Sequence, residues 1–227
     1  MAFRFLHAAD LHLGSPLLGL AEKDEGVAAR FASASRAAFE DLVTAALEED
    51  VAFAVIAGDV FDGDWRDASI GLFFSRQLAR LANRGVPTYL LRGNHDAESI
   101  VTKSLVWPER VFEFATKRPN TFRIDELRVA LHGRGFPHPA VRENYALDYP
   151  GPVRGWFNIG VLHTACGRAG HENYAPCAPA DLAARGYDYW ALGHVHAFEI
   201  VARDPWIVYP GNLQAQGDRV KKCVTKG

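Results

Sequence analysis

The chain has 227 residues, a formal net charge of −2, a pI near 6.5 and three cysteines without Cys-x-x-Cys spacing. A chain of this length can bury roughly 70% of its unfolded surface, and its near-neutral charge provides no overall basic field for nucleic acid. Cys166, Cys177 and Cys223 are expected to stay reduced in a cytoplasmic protein, and neither a signal peptide nor a membrane span is expected.

Short apolar segments in the first half of the chain predict strands. They are Phe3 to Ala9, Val51 to Ala57 and Val86 to Leu91. Between them, apolar residues recur at helical spacing from Val27 to Ala46 and from Ile70 to Leu81. The order β-α-β-α-β predicts a parallel sheet with right-handed crossovers.

After residue 110 the pattern changes to short strands, which are expected to form a second sheet packed on the first. These strands span residues 121–124, 127–132, 156–163, 187–192, 198–203 and 206–209, with a helix over 179–184. Residues 133–152 and 167–179 are rich in Gly and Pro and are expected to be loops that overhang a site. The polar segment 216–227 is expected to be frayed or an incomplete element.

Polar side chains follow the predicted strands in five short segments. The segments are Asp10-Leu11-His12, Gly58 to Asp62, Gly93 to Asp96, His163 and Gly193 to His196. Ligands of open α/β sheets gather at the carboxyl ends of strands, where these segments lie. Oxygen and imidazole donors without thiolates suit Mn²⁺, Fe or Zn²⁺, and a carboxylate that bridges two cations roughly 3.5–4 Å apart forms a clamp for displacement at phosphorus. The pattern therefore predicts a two-metal site for phosphate-ester chemistry.

Individual residues of these segments differ in how strongly they indicate a metal. Asp59 is expected to be the bridging ligand, because a carboxylate after a buried strand is costly unless it binds a cation or is hydrogen bonded. Asn94 offers a neutral carbonyl oxygen. A single histidine such as His163 at the end of an apolar strand is usually a packed core residue, but here the ligand count favours the metal.

Two further pairs need a break in regular strand geometry to bind metal. Asp10 and His12 can face one cavity if the chain turns out of the sheet at this point. His194 and His196 alternate faces of a regular strand, so both can bind only if Gly193 breaks the pleat and the imidazoles meet separate metals.

Some residues are expected to act around the metals. His95 is the imidazole that the metal set does not need, so its expected role is proton donation to the leaving oxygen, and Asp96 could hold its tautomer. Asp62 could bind metal indirectly, orient a histidine or cap a helix, and a supporting role is favoured. His171 could touch substrate.

The remaining histidines and arginines carry weaker signals. Packing or solvent-facing roles are expected for His7, His132 and His138. Guanidinium groups near the loops could hold a phosphate backbone, although most exposed arginines do not; they are Arg92, Arg134, Arg142 and Arg168.

The order D-x-H, G-D-x-x-D, G-N-H-D, H and G-H-x-H resembles the calcineurin-like metallophosphoesterases. Longer stretches are similar to the bacterial DNA repair exonucleases of the SbcD type, and more closely to their YhaO-like branch. These stretches are Phe5 to Gly14, Ala57 to Asp62, Tyr187 to His196 and Tyr209 to Gln214. The resemblance implies an α/β fold, a four-layer α/β/β/α sandwich of two mixed sheets.

The resemblance also implies a domain plan and a ligand set. Residues 1–214 would form the nuclease domain and 215–227 a tail, with the capping and ATPase-docking regions absent. One metal would take Asp10, His12, Asp59 and His196. The other would take Asp59, Asn94, His163 and His194. His95 would be the catalytic acid.

The function implied by the resemblance is a Mn²⁺-dependent DNA exonuclease or endonuclease in DNA repair, with a coiled-coil SMC-like ATPase as partner and a homodimer as one assembly. Residues 215–218 replace the basic turn of that family, which puts the grip on DNA and the final strand in doubt. A phosphodiesterase or phosphatase acting on a small molecule uses the same clamp and stays open as an alternative. A metal-free scaffold is disfavoured, because such a protein should lack His95 or several ligands.

Overall fold

Parallel strands of a first sheet carry the first three chemical segments. In the computed structural model, which describes residues 2–14, 25–62, 68–99, 105–168, 173–213 and 224–226, the parallel strands are β1 Arg4–Ala8, β2 Phe53–Ala57, β3 Thr88–Leu91 and β4 Val111–Glu113. Helices α1 Glu25–Glu48 and α2 Ala68–Asn83 connect the first three strands, which confirms the predicted β-α-β-α-β order.

The edges of this sheet differ from the sequence prediction. Strand β4, three residues long, was not predicted and pairs with β3. At the other edge, β11 Val224–Lys226 pairs antiparallel with β1, so the final strand that the sequence put in doubt is present. Predictions for His171, Gln214, residues 215–218 and Cys223 lie outside the described residues.

A second sheet has six strands in the order β5-β6-β7-β8-β10-β9. Its strands are β5 Asn120–Ile124, β6 Val129–Gly133, β7 Phe157–His163, β8 Tyr189–Gly193, β9 Glu199–Arg203 and β10 Trp206–Tyr209. Strands β6, β7, β8 and β10 run parallel, while β5 and β9 are antiparallel edge strands. Both sheets are therefore mixed, as expected.

Three hydrophobic clusters hold the layers together. One joins the first sheet to the helices and includes Phe39 of α1 and Phe74 of α2. The second lies between the two sheets, where Phe5 and Phe53 stack with ring centroids 5.1 Å apart. The third covers the outer face of the second sheet and includes Trp190 and Leu182, the latter in a short helix over Pro179–Ala183. The result is the predicted four-layer α/β/β/α sandwich.

The packing of one sheet on the other brings two sets of strand ends together. Strand β2 lies against β7 and β8, and all three run toward the same edge of their sheets. The carboxyl ends of β1, β2 and β3 therefore meet those of β7 and β8. No helix among the described residues is long and apolar enough to cross a membrane.

Candidate metal centre

The backbone leaves the strands in a left-handed conformation at four of the predicted metal ligands. The φ angles are 53° at Asp10, 42° at His12, 52° at Asp59 and 97° at His194. Residues with a Cβ rarely adopt this conformation, and such strain clusters at functional sites. The turn that the sequence required after each strand is therefore made by the chemical residue itself.

Glycine at position 193 serves close packing of the two sheets. A Cβ at Gly193 would lie 2.0 Å from the carbonyl oxygen of Ala57 and 2.8 Å from Nδ1 of His163. Gly193 itself remains the last residue of β8, so the expected break of the pleat occurs one residue later, at His194. The backbone N–H of His194 then donates to both carboxylate oxygens of Asp10, at 3.1 and 3.0 Å.

A first group of possible ligands joins Asp10, His12 and His196, whose ligand atoms all lie within 4.8 Å of one another. Asp10 is fully buried, and its Oδ1 lies 3.9 Å from Nε2 of His196. The Nε2 atoms of His12 and His196 are 3.1 Å apart. Nδ1 of His12 donates to Oδ1 of Asp62 at 2.6 Å, which leaves Nε2 to face the group.

A second group joins Asp59, His163 and His194 within the same limit. Nδ1 of the fully buried His163 donates to the carbonyl oxygen of Ala57 at 2.9 Å, so its Nε2 points into the group. This Nε2 lies 3.2 Å from Oδ2 of Asp59 and 3.0 Å from Oδ1 of Asn94. The seven predicted ligands lie in or beside these two groups, with Asp59 in the second. His12, Asp62 and His95 form a third group within the same distance.

The electrostatics of these groups call for positive charge. Burial raises the pKa of Asp10 to about 7, and the charge of Asp59 adds to this effect. Burial also opposes the charging of Asp59 and His163. The attraction between the two charges outweighs this cost of burial. The pKa of Asp59 therefore lies well below its usual range, and the pKa of His163 rises to about 9.

The donor set fits divalent cations. Carboxylate, amide and imidazole atoms converge with their lone pairs facing one another, and a proton or a cation between them relieves the repulsion. Oxygen and imidazole donors without thiolates are the ligands that Mn²⁺, Fe and Zn²⁺ accept. Asp10 and Asp59, both buried, each require such a charge nearby.

Asp62 supports two histidines at once. Its Oδ1 lies 2.6 Å from Nδ1 of His12 and 3.4 Å from Nδ1 of His95. The His95 side chain is 45% exposed, so its imidazole can reach a substrate, and its backbone N–H donates to Oδ1 of Asp59 at 3.0 Å. The position of Asp62 agrees with the supporting role favoured for it, of which orienting a histidine is one form.

The hypothesis that Asp96 holds the tautomer of His95 is not supported by the geometry. The buried carboxylate of Asp96 accepts backbone N–H groups from Val60 and Phe61 at 3.0 Å, and from Gly93 at 3.0 Å. It therefore ties the loop after β2 to the loop after β3. Asp96 is the third residue of helix α3 Asn94–Glu98, where an acidic side chain turns back toward the helix N-terminus.

The four arginines proposed as phosphate contacts all have partners within the protein. Arg92 forms an ion pair with Glu113, and Arg168 with Glu199. Arg134 lies 3.3 Å from Asp148 and stacks its guanidinium 3.6 Å from the ring centre of Tyr145. Arg142 donates to Asn173 at 2.9 Å. These contacts engage each guanidinium group within the protein. They weaken the hypothesis that these arginines hold a phosphate backbone.

The three other described histidines fit their expected roles, since His138 is exposed and the other two are packed. His7 is buried, and its ring nitrogens lie 3.1 Å from the Tyr189 hydroxyl and from the Leu192 carbonyl. His132 stacks on Tyr187 with ring centroids 4.5 Å apart. The structure also brings Cys166 and Cys177 into one buried cluster as free thiols, although they lie far apart in sequence.

Sequence reasoning missed Tyr174. Its ring stacks on that of His194 with centroids 4.5 Å apart and planes at 29°. An aromatic residue within the predicted loop 167–179 was the available signal, but neither spacing nor periodicity distinguishes it from other loop residues.

A family model described as calcineurin-like phosphoesterase matches residues 3–198 of the chain. A solved structure of TT1561 from Thermus thermophilus superposes with a TM-score of 0.53 at 14% identity, covering 94% of this chain and 91% of that one. This likeness shows the fold alone.

Among curated proteins, the chain is 37% identical over 228 residues to the uncharacterized metallophosphoesterase YhaO of Bacillus subtilis strain 168, covering 98% of this chain and 55% of that protein. It is 29% identical over 215 residues to the DNA double-strand break repair protein Mre11 of Methanopyrus kandleri, covering 85% and 44%. The protein of the same name from Aeropyrum pernix is 32% identical, covering 92% and 53%. The chain thus spans about half the length of these relatives.

Proposed function

The chain belongs to the calcineurin-like phosphoesterase family, and on this basis we propose that it is a two-metal phosphodiester hydrolase that acts on DNA as a Mn²⁺-dependent nuclease in repair. The observation that carries the proposal is the convergence of Asp10, Asp59 and five other ligand side chains on two adjacent groups at one edge of the sandwich. Two-metal sites of this kind serve displacement reactions at phosphorus, of which phosphodiester hydrolysis is one.

The residues of the two groups divide the work of holding cations. Asp10, His12 and His196 would hold one cation, Asn94, His163 and His194 the other, and Asp59 would serve both. Divalent cations held there would supply charge neutralisation at the phosphate and activation of water. Second contacts keep the ligands in place, since Ala57 fixes the ring of His163 and Asp62 that of His12.

His95 is proposed as the proton donor to the leaving oxygen. Its imidazole is partly exposed beside the ligand groups, and Asp62 lies 3.4 Å from its Nδ1. A carboxylate at this position orients the imidazole through Nδ1 and directs its Nε2 away from Asp62. Asp96, by contrast, is proposed to act through the loops that it ties together.

The choice of DNA as substrate is supported by the names of two relatives, both called DNA double-strand break repair proteins. A coiled-coil ATPase partner and a homodimer are proposed from the resemblance to the SbcD-type exonucleases. The net charge of −2 and the paired arginines argue that this part of the chain grips DNA weakly by itself. A partner or further segments of the protein would supply the missing affinity.

The test compares cleavage of labelled double-stranded DNA with hydrolysis of bis(p-nitrophenyl) phosphate, each with Mn²⁺ and with EDTA. We expect Mn²⁺-dependent hydrolysis of both, with DNA cleavage low, falling with salt, and rising when a coiled-coil ATPase is added to the full-length protein. Robust hydrolysis of a cyclic nucleotide or a phosphoprotein without any DNA cleavage would favour a small-molecule phosphodiesterase or a phosphatase. Failure to hydrolyse any of these substrates would favour a scaffold.

A further inference from the structure

A cavity of about 270 Å³ opens beside the proposed proton donor. Asn94 and His95 form one wall. The other walls come from the end of α3, from the loop after β6 and from the loop after β7. Their lining residues are Glu98, Pro139, Ala140, Asn173 and Tyr174.

The two loops that form the far walls are fastened to each other. Val141 donates its N–H to the carbonyl of Asn173, and Ala175 donates to the carbonyl of Val141, both at 2.7 Å. Arg142 adds a side-chain bond to Asn173 at 2.9 Å. The ring of Tyr174 is in turn stacked on His194. The cavity is therefore preformed, which lowers the entropic cost of binding a group there.

The lining residues select for an uncharged, flat group. The Glu98 carboxylate repels a phosphate. Pro139 and the face of Tyr174 opposite His194 offer ring surface. The Asn173 amide, whose Oδ1 accepts from Arg142, can still donate through Nδ2. A planar nucleobase meets these conditions, since bases stack on aromatic rings and hydrogen bond along their edges. The position beside His95 matters as well, because a group next to the proton donor is attached to the leaving oxygen.

We infer that this cavity binds the nucleoside that leaves from the scissile phosphodiester. The inference rests on the proposed function and names the part of the substrate that this side of the site recognises. In the reaction the bond between phosphorus and the leaving oxygen breaks, and the oxygen of water forms the new bond to phosphorus. The leaving oxygen takes a proton from His95, and the phosphate stays on the other nucleoside.

The test uses a thymidine dinucleotide and two analogues that lack the base on one sugar or on the other. The products identify the leaving nucleoside, because the phosphate remains on its neighbour. We expect loss of the leaving base to lower kcat/KM about tenfold, the size of a base–aromatic stacking contact, and mainly through a higher KM. Loss of the other base should have a smaller effect.

Variants test whether this cavity causes the preference. Ala140 is exposed at the cavity wall, so Ala140→Trp should fill the space and reduce the preference to near unity, with Ala140→Leu intermediate. Ala115→Trp is the matched control, because Ala115 is also exposed but lines a separate cavity of about 390 Å³ with Arg92 and Lys117. It should keep the full preference. Each preference is a ratio within one protein, so a partly unfolded variant does not distort it.

Two results would overturn the inference: equal kcat/KM for both leaving groups in the wild type, or an unchanged preference in Ala140→Trp. In either case Mn²⁺-dependent hydrolysis of bis(p-nitrophenyl) phosphate would leave the proposed function standing. Absence of hydrolysis of every phosphodiester would instead overturn the proposed function, and the inference with it.

Discussion

The Nε2 atoms of His12 and His196 face each other at 3.1 Å. Burial opposes protonation of both rings, but the hydrogen bond from His12 to Asp62 raises the pKa of His12, while burial and the charge of His12 lower that of His196. Protonation is therefore more favourable at His12 than at His196. A cation held by this group would need both Nε2 atoms unprotonated, so metal binding there should weaken as the pH falls.

Substitution of the proposed bridging ligand should affect both metals. Asp59→Ala is expected to lose both bound Mn²⁺ ions, whereas His196→Ala should lose one, because only Asp59 is proposed to serve both groups. Elemental analysis after Mn²⁺ loading and desalting measures this difference. Asp148→Asn, a change of an exposed carboxylate, should retain the wild-type metal content. Equal metal content in Asp59→Ala and His196→Ala would contradict the bridging role.

His95→Gln should keep its metals and lose turnover on DNA by about 10²–10⁴-fold, the usual contribution of general acid catalysis. The loss should be much smaller on bis(p-nitrophenyl) phosphate, since nitrophenolate leaves without a proton. Steady-state kinetics on both substrates provide the measurement, with the exposed His138→Gln as control. If both substrates lose the same factor, His95 is not the proton donor.

Asp62→Asn should reduce turnover on DNA by about 10–100-fold, the usual cost of removing a group that orients a ligand or a catalytic side chain. The reason is its double contact with His12 and His95. The variant should also need more Mn²⁺ for half-maximal activity, because His12 loses its support. An unchanged kcat and an unchanged Mn²⁺ dependence would show that Asp62 has no functional role in the site.

Asp96→Asn should reduce stability more than chemistry. An amide has one oxygen in place of two, so the N–H groups of Val60, Phe61 and Gly93 cannot all keep their acceptor. We expect a loss of about 1–3 kcal/mol in the free energy of unfolding, measured by urea denaturation. A large loss of turnover in an Asp96→Asn variant that is as stable as the wild type would instead indicate a catalytic role for Asp96.

Buried His7 should make stability depend on pH. Burial lowers the pKa of His7 to about 3, so between pH 6.5 and 3 the unfolded chain binds a proton that the folded chain does not. The free energy of unfolding therefore falls as the pH falls through this range. His7→Gln lacks this contribution, and its stability deficit relative to wild type should narrow by about 2 kcal/mol between pH 7 and pH 5. Urea denaturation in EDTA at both pH values tests this, and a constant deficit would contradict it.

The sequence predicted the central strands well because their burial on both faces makes them nearly continuous apolar runs, as in Phe53–Ala57. It missed β4 and β11 because each is three residues long, too short to show a period. In β4, moreover, the apolar side chain of Phe112 is exposed, so the strand lacks the usual alternation of buried apolar and exposed polar residues. The edges of a sheet depend on pairing partners that are distant in sequence.

The residues of the site were predictable because polar segments follow strands whose carboxyl ends meet, whereas their division into two ligand groups came from the family resemblance. The carboxylate partner of His95 was not predictable from the sequence. Asp96 is the neighbour of His95 in sequence, whereas Asp62 is its neighbour in space. A signal for the true role of Asp96 was present, namely an acidic residue three positions after Gly93 at a helix start. The role of Tyr174 depended on loop packing that no local pattern records.

The left-handed backbone at Asp10, His12, Asp59 and His194 has an evolutionary consequence. Each such position costs a residue with a Cβ roughly 1–2 kcal/mol, which glycine would not incur. At Asp10 and Asp59 a change to glycine would also remove the acceptor of the His194 and His95 N–H groups, which offsets the gain. At His12 the side chain accepts no backbone N–H group from the described residues, so a lineage that no longer uses the site would gain stability from glycine there. The backbone angle at this histidine therefore gives a criterion for distinguishing active enzymes from inactive descendants among proteins of this fold.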